Sequence, residues 1–221
     1  MKIYFGVVIL LSTLLLPPTT WAAVTGPDTL VDNTAQEVLT IIRQDKGIKS
    51  GRKTRLLNLV EAKILPHFDF SRMTRLAMGK NWSKAVPRQQ QEITNQFRTL
   101  LVRTYYKALS VYSDHTIKVT PIKDIAGNTN VTVKTQAIQN NGHHPVSINY
   151  SMEKTSNGWK VYDITVGGIS LVINYRGSFN SQIRKGGVEG LIKTLADKNR
   201  KLDAKDKKKN AAALVKQLMT T

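Results

Sequence analysis

The 221-residue sequence contains no cysteine, and this absence limits the chemistry that the protein can perform. Disulfide bonds, thiolate nucleophiles and zinc–thiolate centres are excluded, so packing alone must hold the fold together. Histidine is scarce, with only His67, His115, His143 and His144. No two of these histidines have the i, i+4 spacing of two metal ligands on a helix, and no Gly-x-Ser-x-Gly motif occurs in the sequence. The inventory therefore favours neither a metal centre nor a serine hydrolase.

Acidic residues are few compared with basic ones, 15 against 33, and the formal net charge at pH 7 is +18. Such an excess suits nucleic acid, anionic lipid or an acidic protein as a partner. Part of it is concentrated at the end of the chain, where nine Lys and Arg but three Asp follow from Lys193 onward. We predict that residues 203–221 form a lysine-rich tail of the domain.

Long hydrophobic runs are rare, and the longest one lies at the start of the chain. Lys2 precedes the mostly apolar residues 3–16, and a cut after Ala22 places Thr20 and Ala22 at the two small-residue positions of a signal-peptide cleavage site. An uncleaved membrane anchor is the alternative, but the run is shorter than the ~20 residues that span a bilayer. We predict cleavage of residues 1–22, export to the periplasm without a membrane-spanning segment, and a single domain over residues 23–202. Export argues against nucleic acid as the partner.

Apolar residues recur every three or four positions through the first half of the sequence, a spacing typical of amphipathic helices. Pro27, Ser50 and Pro87 are suitable helix starts, and Pro66 and Gly79 are suitable stops. The predicted helices cover about residues 27–47, 50–66, 70–78 and 87–112. Two further helices are predicted near the C-terminus, over about residues 169–184 and 188–202.

The apolar period changes to two after Asp114, which indicates β-strands. Four alternating runs cover residues 117–119, 131–137, 146–152 and 159–166, and Asn-Gly or Gly-Asn dipeptides separate them. Short turns between successive strands predict an antiparallel meander with one apolar face. The predicted fold is α+β, with the long helix and the C-terminal helices packed on that face.

The residues alone leave the purpose of this apolar face open. Periodicity favours a solid core over a ligand cavity, because most apolar stripes are simply core. Asp163, within an otherwise apolar strand, is a candidate base for a hydrolase or isomerase, although an edge position, a bulge or an ion pair explains it better. A docking module with a basic surface and no ligand is a further alternative.

Two stretches carry a longer and more specific pattern. The first is Leu65-Pro66-His67-Phe68-Asp69-Phe70, followed by Met73, Leu76, Gly79 and Trp82. The second is Trp159-Lys160-Val161-Tyr162-Asp163-Ile164, followed by Gly168-Ile169-Ser170-Leu171 and Tyr175-Arg176. Over about residues 28–195 the chain thus resembles the MlaC, or toluene-tolerance, family of phospholipid-binding proteins. The lysine-rich tail is the departure from that pattern.

The resemblance implies a four-stranded antiparallel sheet, covered by N-terminal and C-terminal helices that enclose an apolar cavity. It implies a periplasmic phospholipid shuttle without cofactor or enzymatic activity, which helps to maintain the lipid asymmetry of the outer membrane. Its implied partners are phospholipid, an inner-membrane ABC lipid transporter complex and an outer-membrane lipoprotein complex.

The candidate site residues are of two kinds. Apolar side chains of the sheet and its covering helices are expected to contact acyl chains: Leu101, Tyr105, Val133, Val146, Ile148, Tyr150, Val161, Ile164, Ile169 and Val172. Three basic residues are expected near the head group at the mouth of the cavity: Arg98, Arg103 and Arg176.

Overall fold

The computed structural model describes residues 25–111, 114–139 and 144–218, with side chains placed as far as Lys207 except for that of Ser110. The predicted signal peptide, the Asn141-Gly142 turn and His143 lie outside these residues. The elements run as a group of helices, then five strands, then one long broken helix. This order confirms the predicted α+β class.

The first helix is shorter than its periodicity predicted. Helix α1 covers Pro27–Gln44 and begins at Pro27, where a missing backbone N–H costs nothing. It ends before Gly47 because the Asp45 carboxylate accepts hydrogen bonds from the backbone N–H groups of Gly47 and Ile48. These bonds cap a separate short helix, α2, over Lys46–Lys49.

The second predicted helix, residues 50–66, is divided in the structure. Helix α3 covers Lys53–Leu59, a π turn covers Val60–Ile64, and a 3-10 turn covers Leu65–His67. The widening of the helix just before Pro66 agrees with the conflict between a proline ring and the preceding helical turn. The division turns the chain from the helices towards the sheet.

The next two helices were predicted closely. Helix α4 covers Phe70–Met78, and the Asp69 carboxylate caps it by accepting a 2.8 Å hydrogen bond from the Arg72 backbone N–H. Gly79 follows with a φ of 55°, a conformation in which a Cβ would be strained. A 3-10 segment, Gly79–Lys84, leads into the long helix α5, Pro87–Val111.

The sheet is an antiparallel meander of five strands in the order β1-β2-β3-β4-β5. Its strands are β1 His115–Val119, β2 Asn130–Gln139, β3 Val146–Thr155, β4 Gly158–Val166 and β5 Ile169–Ser170. The four longer strands confirm the prediction. The fifth was missed because Gly167 and Gly168, with φ of 56° and 86°, reverse the chain so tightly that Ile169 pairs with Val166 rather than starting a helix.

A β-bulge interrupts the pairing of β3 with β4. Ser151 pairs with Asp163 but the next residue, Met152, pairs with Val161, so Tyr162 is an extra residue on β4. Simple alternation would place Val161 and Ile164 on opposite faces, because they are three positions apart. The bulge brings both of these side chains to the same face of the sheet.

The last helix, α6, covers Leu171–Leu218 and is broken at Gly186 and Gly187, as the two predicted C-terminal helices require. It continues past the predicted end at Leu202. Asp203 pairs with Arg103 at 2.9 Å, and the buried Asp206 pairs with Lys53 at 2.6 Å. The start of the lysine-rich segment therefore contacts the body of the protein. The division of the chain at Leu202 into domain and tail stays a prediction.

The buried residues gather in more than one core. Helices α4, α5 and α6 pack together around a buried cluster in which Phe97 meets Phe179 edge to face, with ring centroids 5.0 Å apart. A second cluster joins α1 to the sheet through Val31, Val133 and Trp159. The predicted cover of N-terminal and C-terminal helices is confirmed, but the apolar face of the sheet is covered mainly by α1, together with Leu109 from the end of α5. Helices α5 and α6 bury their apolar faces mainly on each other, and α6 also contacts β4 and β5.

Candidate functional site

An apolar cavity of about 200 Å³ lies between α1 and the sheet. One wall is the inner face of α1, in which side chains three or four positions apart point towards the sheet. This wall consists of Leu30, Val31, Thr34, Ala35, Val38 and Leu39.

The opposite wall is the face of the sheet to which the bulge contributes. Its six side chains are Ile117, Ile148, Tyr150, Met152, Val161 and Ile164. Tyr150 pairs with Ile164 across β3 and β4, and Met152 pairs with Val161. The two pairs lie on either side of the bulge and together form a continuous apolar floor.

The remaining wall comes from the segment between α3 and α4 and from the end of α5. Ile64, His67, Phe68 and Leu109 supply it. Phe68 forms a parallel bridge with Val161, and the Asp69 backbone N–H donates a 2.9 Å hydrogen bond to the Val161 carbonyl. These contacts hold the segment against β4.

The cavity is electrically neutral around pH 7. Its titratable lining groups are the Tyr150 phenol and the His67 imidazole. Burial raises the pKa of Tyr150 to about 12, so the phenol keeps its proton. Burial, and secondarily the charge of Lys160, lower the pKa of His67 below its ordinary value, so the imidazole is uncharged. Such a surface suits an apolar ligand and gives little help to charged chemistry.

Four of the ten predicted acyl-chain residues line this cavity: Ile148, Tyr150, Val161 and Ile164. Val133 lies on the same face of the sheet but is fully buried against α1 and neighbouring strands. Val146 is half-buried at the start of β3, opposite Ala137. The contact of these residues with lipid stays a prediction.

The other four predicted acyl-chain residues lie away from the cavity lining. Leu101 and Val172 are buried in the core between α4, α5 and α6. Tyr105 and Ile169 are exposed, by 41% and 68% of their surface. All four were placed at the site by the expectation that α5 and α6 cover the sheet, which the packing of α1 replaces.

The three predicted head-group arginines also have partners elsewhere. Arg98 pairs with Glu61 on the helical side of the protein. Arg103 pairs with Asp203, and Arg176 donates hydrogen bonds of 3.1 and 2.9 Å to the Leu76 carbonyl. None of the three belongs to the described lining of the cavity.

The wall that sequence reasoning missed is that of α1. The stripe of Leu30, Val31, Thr34 and Val38 was visible in the sequence as helical periodicity. That periodicity shows which side of a helix is apolar, but it does not show which surface the helix covers.

Asp163 has a structural environment. Its carboxylate accepts a 2.5 Å hydrogen bond from the Ser170 hydroxyl and a 3.0 Å bond from the Val172 backbone N–H, next to the bulge. It thereby caps the first turn of α6. Across the residues described here, no cluster of three or more His, Cys, Asp or Glu side chains is arranged to hold a metal ion.

Comparison with known proteins supplies the decisive observation, since residues 32–197 match the family model described as MlaC protein. The chain belongs to the MlaC family. Membership confirms the resemblance found in the sequence and supports a non-enzymatic role in lipid transport. In the part of the chain that the structure describes, no helix is long and apolar enough to cross a membrane.

Individual relatives of known description cover most of the chain. The intermembrane phospholipid transport system binding protein MlaC of Haemophilus influenzae is 23% identical over 87% of this chain and 91% of its own length. The toluene tolerance protein ttg2D of Pseudomonas putida is 28% identical over 82% of this chain and 83% of its own.

A solved structure resembles the present fold. It is the phospholipid-binding protein of Ralstonia solanacearum in complex with a phospholipid, with a TM-score of 0.74 and 38% sequence identity. The match covers 81% of this chain and 99% of that one. The likeness confirms the α+β arrangement of an antiparallel sheet with N-terminal and C-terminal helices.

Proposed function

We propose that this protein is a periplasmic phospholipid shuttle that holds acyl chains in the cavity between α1 and the sheet. The observation that supports the proposal is a neutral, apolar space between two elements, in a chain 38% identical to a protein solved with a phospholipid. The proposed route runs between an outer-membrane lipoprotein complex and an inner-membrane ABC transporter. This route also rests on the signal-like residues 1–22.

Energetics require such a carrier to have a deep apolar site. Transfer of two acyl chains, about 30 methylenes in total, into water costs on the order of 25 kcal/mol at ~0.8 kcal/mol each. A shallow surface groove leaves much of that surface wet. The present volume is smaller than the roughly 300–1,000 Å³ of common ligand pockets, so the proposal requires α1 and the sheet to separate as lipid enters.

The direct test is the lipid content of the protein purified from a bacterial periplasm without detergent. Organic extraction and mass spectrometry should find phospholipid in near equimolar amount, and the mature chain should begin at Ala23. Protein that is folded and lipid-free, and that acquires no lipid from vesicles, would refute the shuttle. A docking module without a ligand would then be the better description.

A further inference from the structure

A second, polar cleft adjoins the apolar cavity. Its volume is about 260 Å³, and it lies between the start of α1, the Leu65–His67 turn and the hairpin that joins β3 to β4. Leu30 and His67 line both spaces. The apolar cavity and the polar cleft are therefore neighbours, with Leu30 and His67 between them.

Lys160 supplies the charge of this cleft. Its Nζ donates a 2.6 Å hydrogen bond to the Pro66 carbonyl, which uses one of the three N–H donors of the ammonium group. Among the described residues that line the cleft there is no carboxylate. The cross-strand neighbour of Lys160, Glu153, is ion-paired with Arg72. Two N–H donors of the Lys160 ammonium group can therefore bind an anionic ligand beside the neutral cavity.

Other polar groups line the same cleft. His67 is uncharged, for the reasons given above, and a neutral imidazole still carries one N–H donor. Thr25 and Asn157 add exposed polar side chains to the cleft. In contrast, Arg98, Arg103 and Arg176 form their ion pairs or hydrogen bonds with groups outside the cleft.

We propose that this cleft binds the phosphate group of a phospholipid whose acyl chains occupy the cavity, with Lys160 as its counter-ion. The inference rests on the proposed function and adds a head-group site to it. A phospholipid joins an apolar part to an anionic part through a short glycerol link, and the apolar cavity and the polar cleft lie side by side with Leu30 and His67 in both linings. Lys160 reduces the cost of removing the phosphate from water, because a charge-assisted hydrogen bond replaces part of its hydration.

The test is a competition between two lipids with the same acyl chains. The full chain is incubated with mixed vesicles of phosphatidylglycerol and diacylglycerol, isolated again, and analysed by mass spectrometry for both lipids. The wild type should prefer phosphatidylglycerol. Lys160→Gln should lower the ratio of phosphatidylglycerol to diacylglycerol about tenfold, the equivalent of about 1.4 kcal/mol.

Matched variants separate this effect from a general change of charge. Lys160→Arg keeps the positive charge and should keep most of the preference. Lys134→Gln makes the same charge change on the exposed side of β2 and should leave the ratio unchanged. Thermal unfolding checks each variant, and Lys160→Met, which keeps the alkyl stem, replaces Lys160→Gln if that variant does not fold.

The outcomes distinguish the head-group site from the shuttle itself. A wild-type ratio in folded Lys160→Gln would overturn the head-group site and leave the shuttle standing, whereas a wild type that acquires neither lipid would overturn the shuttle. Inorganic phosphate is added in a separate arm and should not reduce loading, because it lacks acyl chains. Phosphate that binds to lipid-free wild type but not to Lys160→Gln, while the two proteins acquire the same ratio of lipids, would identify free phosphate as the ligand and overturn the inference.

Discussion

The substitution Ile148→Trp tests whether the space between α1 and the sheet is a ligand cavity. Ile148 is the third residue of β3, is half-buried, and contributes to the floor of the cavity. In a solid core a larger side chain costs roughly 1–3 kcal/mol. For a domain of this size that cost corresponds to a fall of about 2–12 °C in Tm. In a cavity that already has free volume, the indole ring enters without displacing protein atoms, so we expect little change in Tm.

The same substitution should affect phospholipid binding more than it affects the stability of the fold. If the indole occupies the space of about three methylenes, the lost transfer free energy is about 2.4 kcal/mol at ~0.8 kcal/mol each. Affinity for phospholipid should then fall roughly 50-fold. The assays are thermal unfolding of lipid-free protein and the amount of lipid per protein after incubation with vesicles.

Ile173→Trp is the matched control, because Ile173 is 51% exposed on the first turn of α6 and lies outside the cavity lining. This variant should keep both the Tm and the lipid content of the wild type. The reasoning is refuted if Ile148→Trp unfolds, or if it remains folded and carries the same lipid as the control.

Three further predictions concern Asp163, Asp206 and the lysine-rich tail. Asp163→Asn weakens the cap of α6 and should cost about 1 kcal/mol without abolishing lipid transfer between liposomes; a folded variant that has lost all transfer would favour a catalytic or gating role instead. Burial raises the pKa of Asp206, but its hydrogen bond and charge interaction with Lys53 outweigh this and hold the pKa below the ordinary value. The stabilisation is therefore present above the unfolded pKa near 3.9 and is lost as pH falls through the lower folded pKa. Asp206→Asn should be less stable than the wild type at pH 7, and equilibrium unfolding should show the difference shrinking below about pH 4; a constant difference would exclude the charge as its cause. Truncation after Lys207 keeps Asp206 in place and should leave bound lipid unchanged while weakening association with anionic vesicles, by about 1 kcal/mol per lost lysine at low salt and little at high salt. Equal association of both proteins at low salt would rule out a membrane role for the tail.

Local patterns predicted most of the elements because their causes are local. Helix α4 ends at the predicted stop, Gly79, which acts through the backbone of its own turn, and the Asp69 cap seen in the structure is equally local. The alternation in β2, β3 and β4 reflects one buried and one exposed face, which each strand carries in its own sequence. Turn residues such as Asn157-Gly158 then set the antiparallel order.

The bulge at Tyr162 shows where local reasoning ended. Val161 and Ile164 were both expected at the cavity, although strict alternation would separate them. Only the register between β3 and β4 resolves this, and a register depends on two strands together. The role of Asp163 follows from the same irregularity and from the short strand that brings Ser170 near it.

The sequence by itself determined the α+β class, the apolar face of the sheet and, through its long spaced motifs, the family. Only the tertiary structure decided that α1 covers that face, that Leu101 and Val172 belong to the other core, and that Arg98, Arg103 and Arg176 have partners away from the cavity. The physical reason is that an apolar stripe records how much of a helix is buried, whereas its partner is chosen by the joint packing of all the elements. Lys160 illustrates the same limit, because its place beside the cavity arises from the contact of β4 with the Leu65–His67 turn, more than 90 residues earlier in the chain.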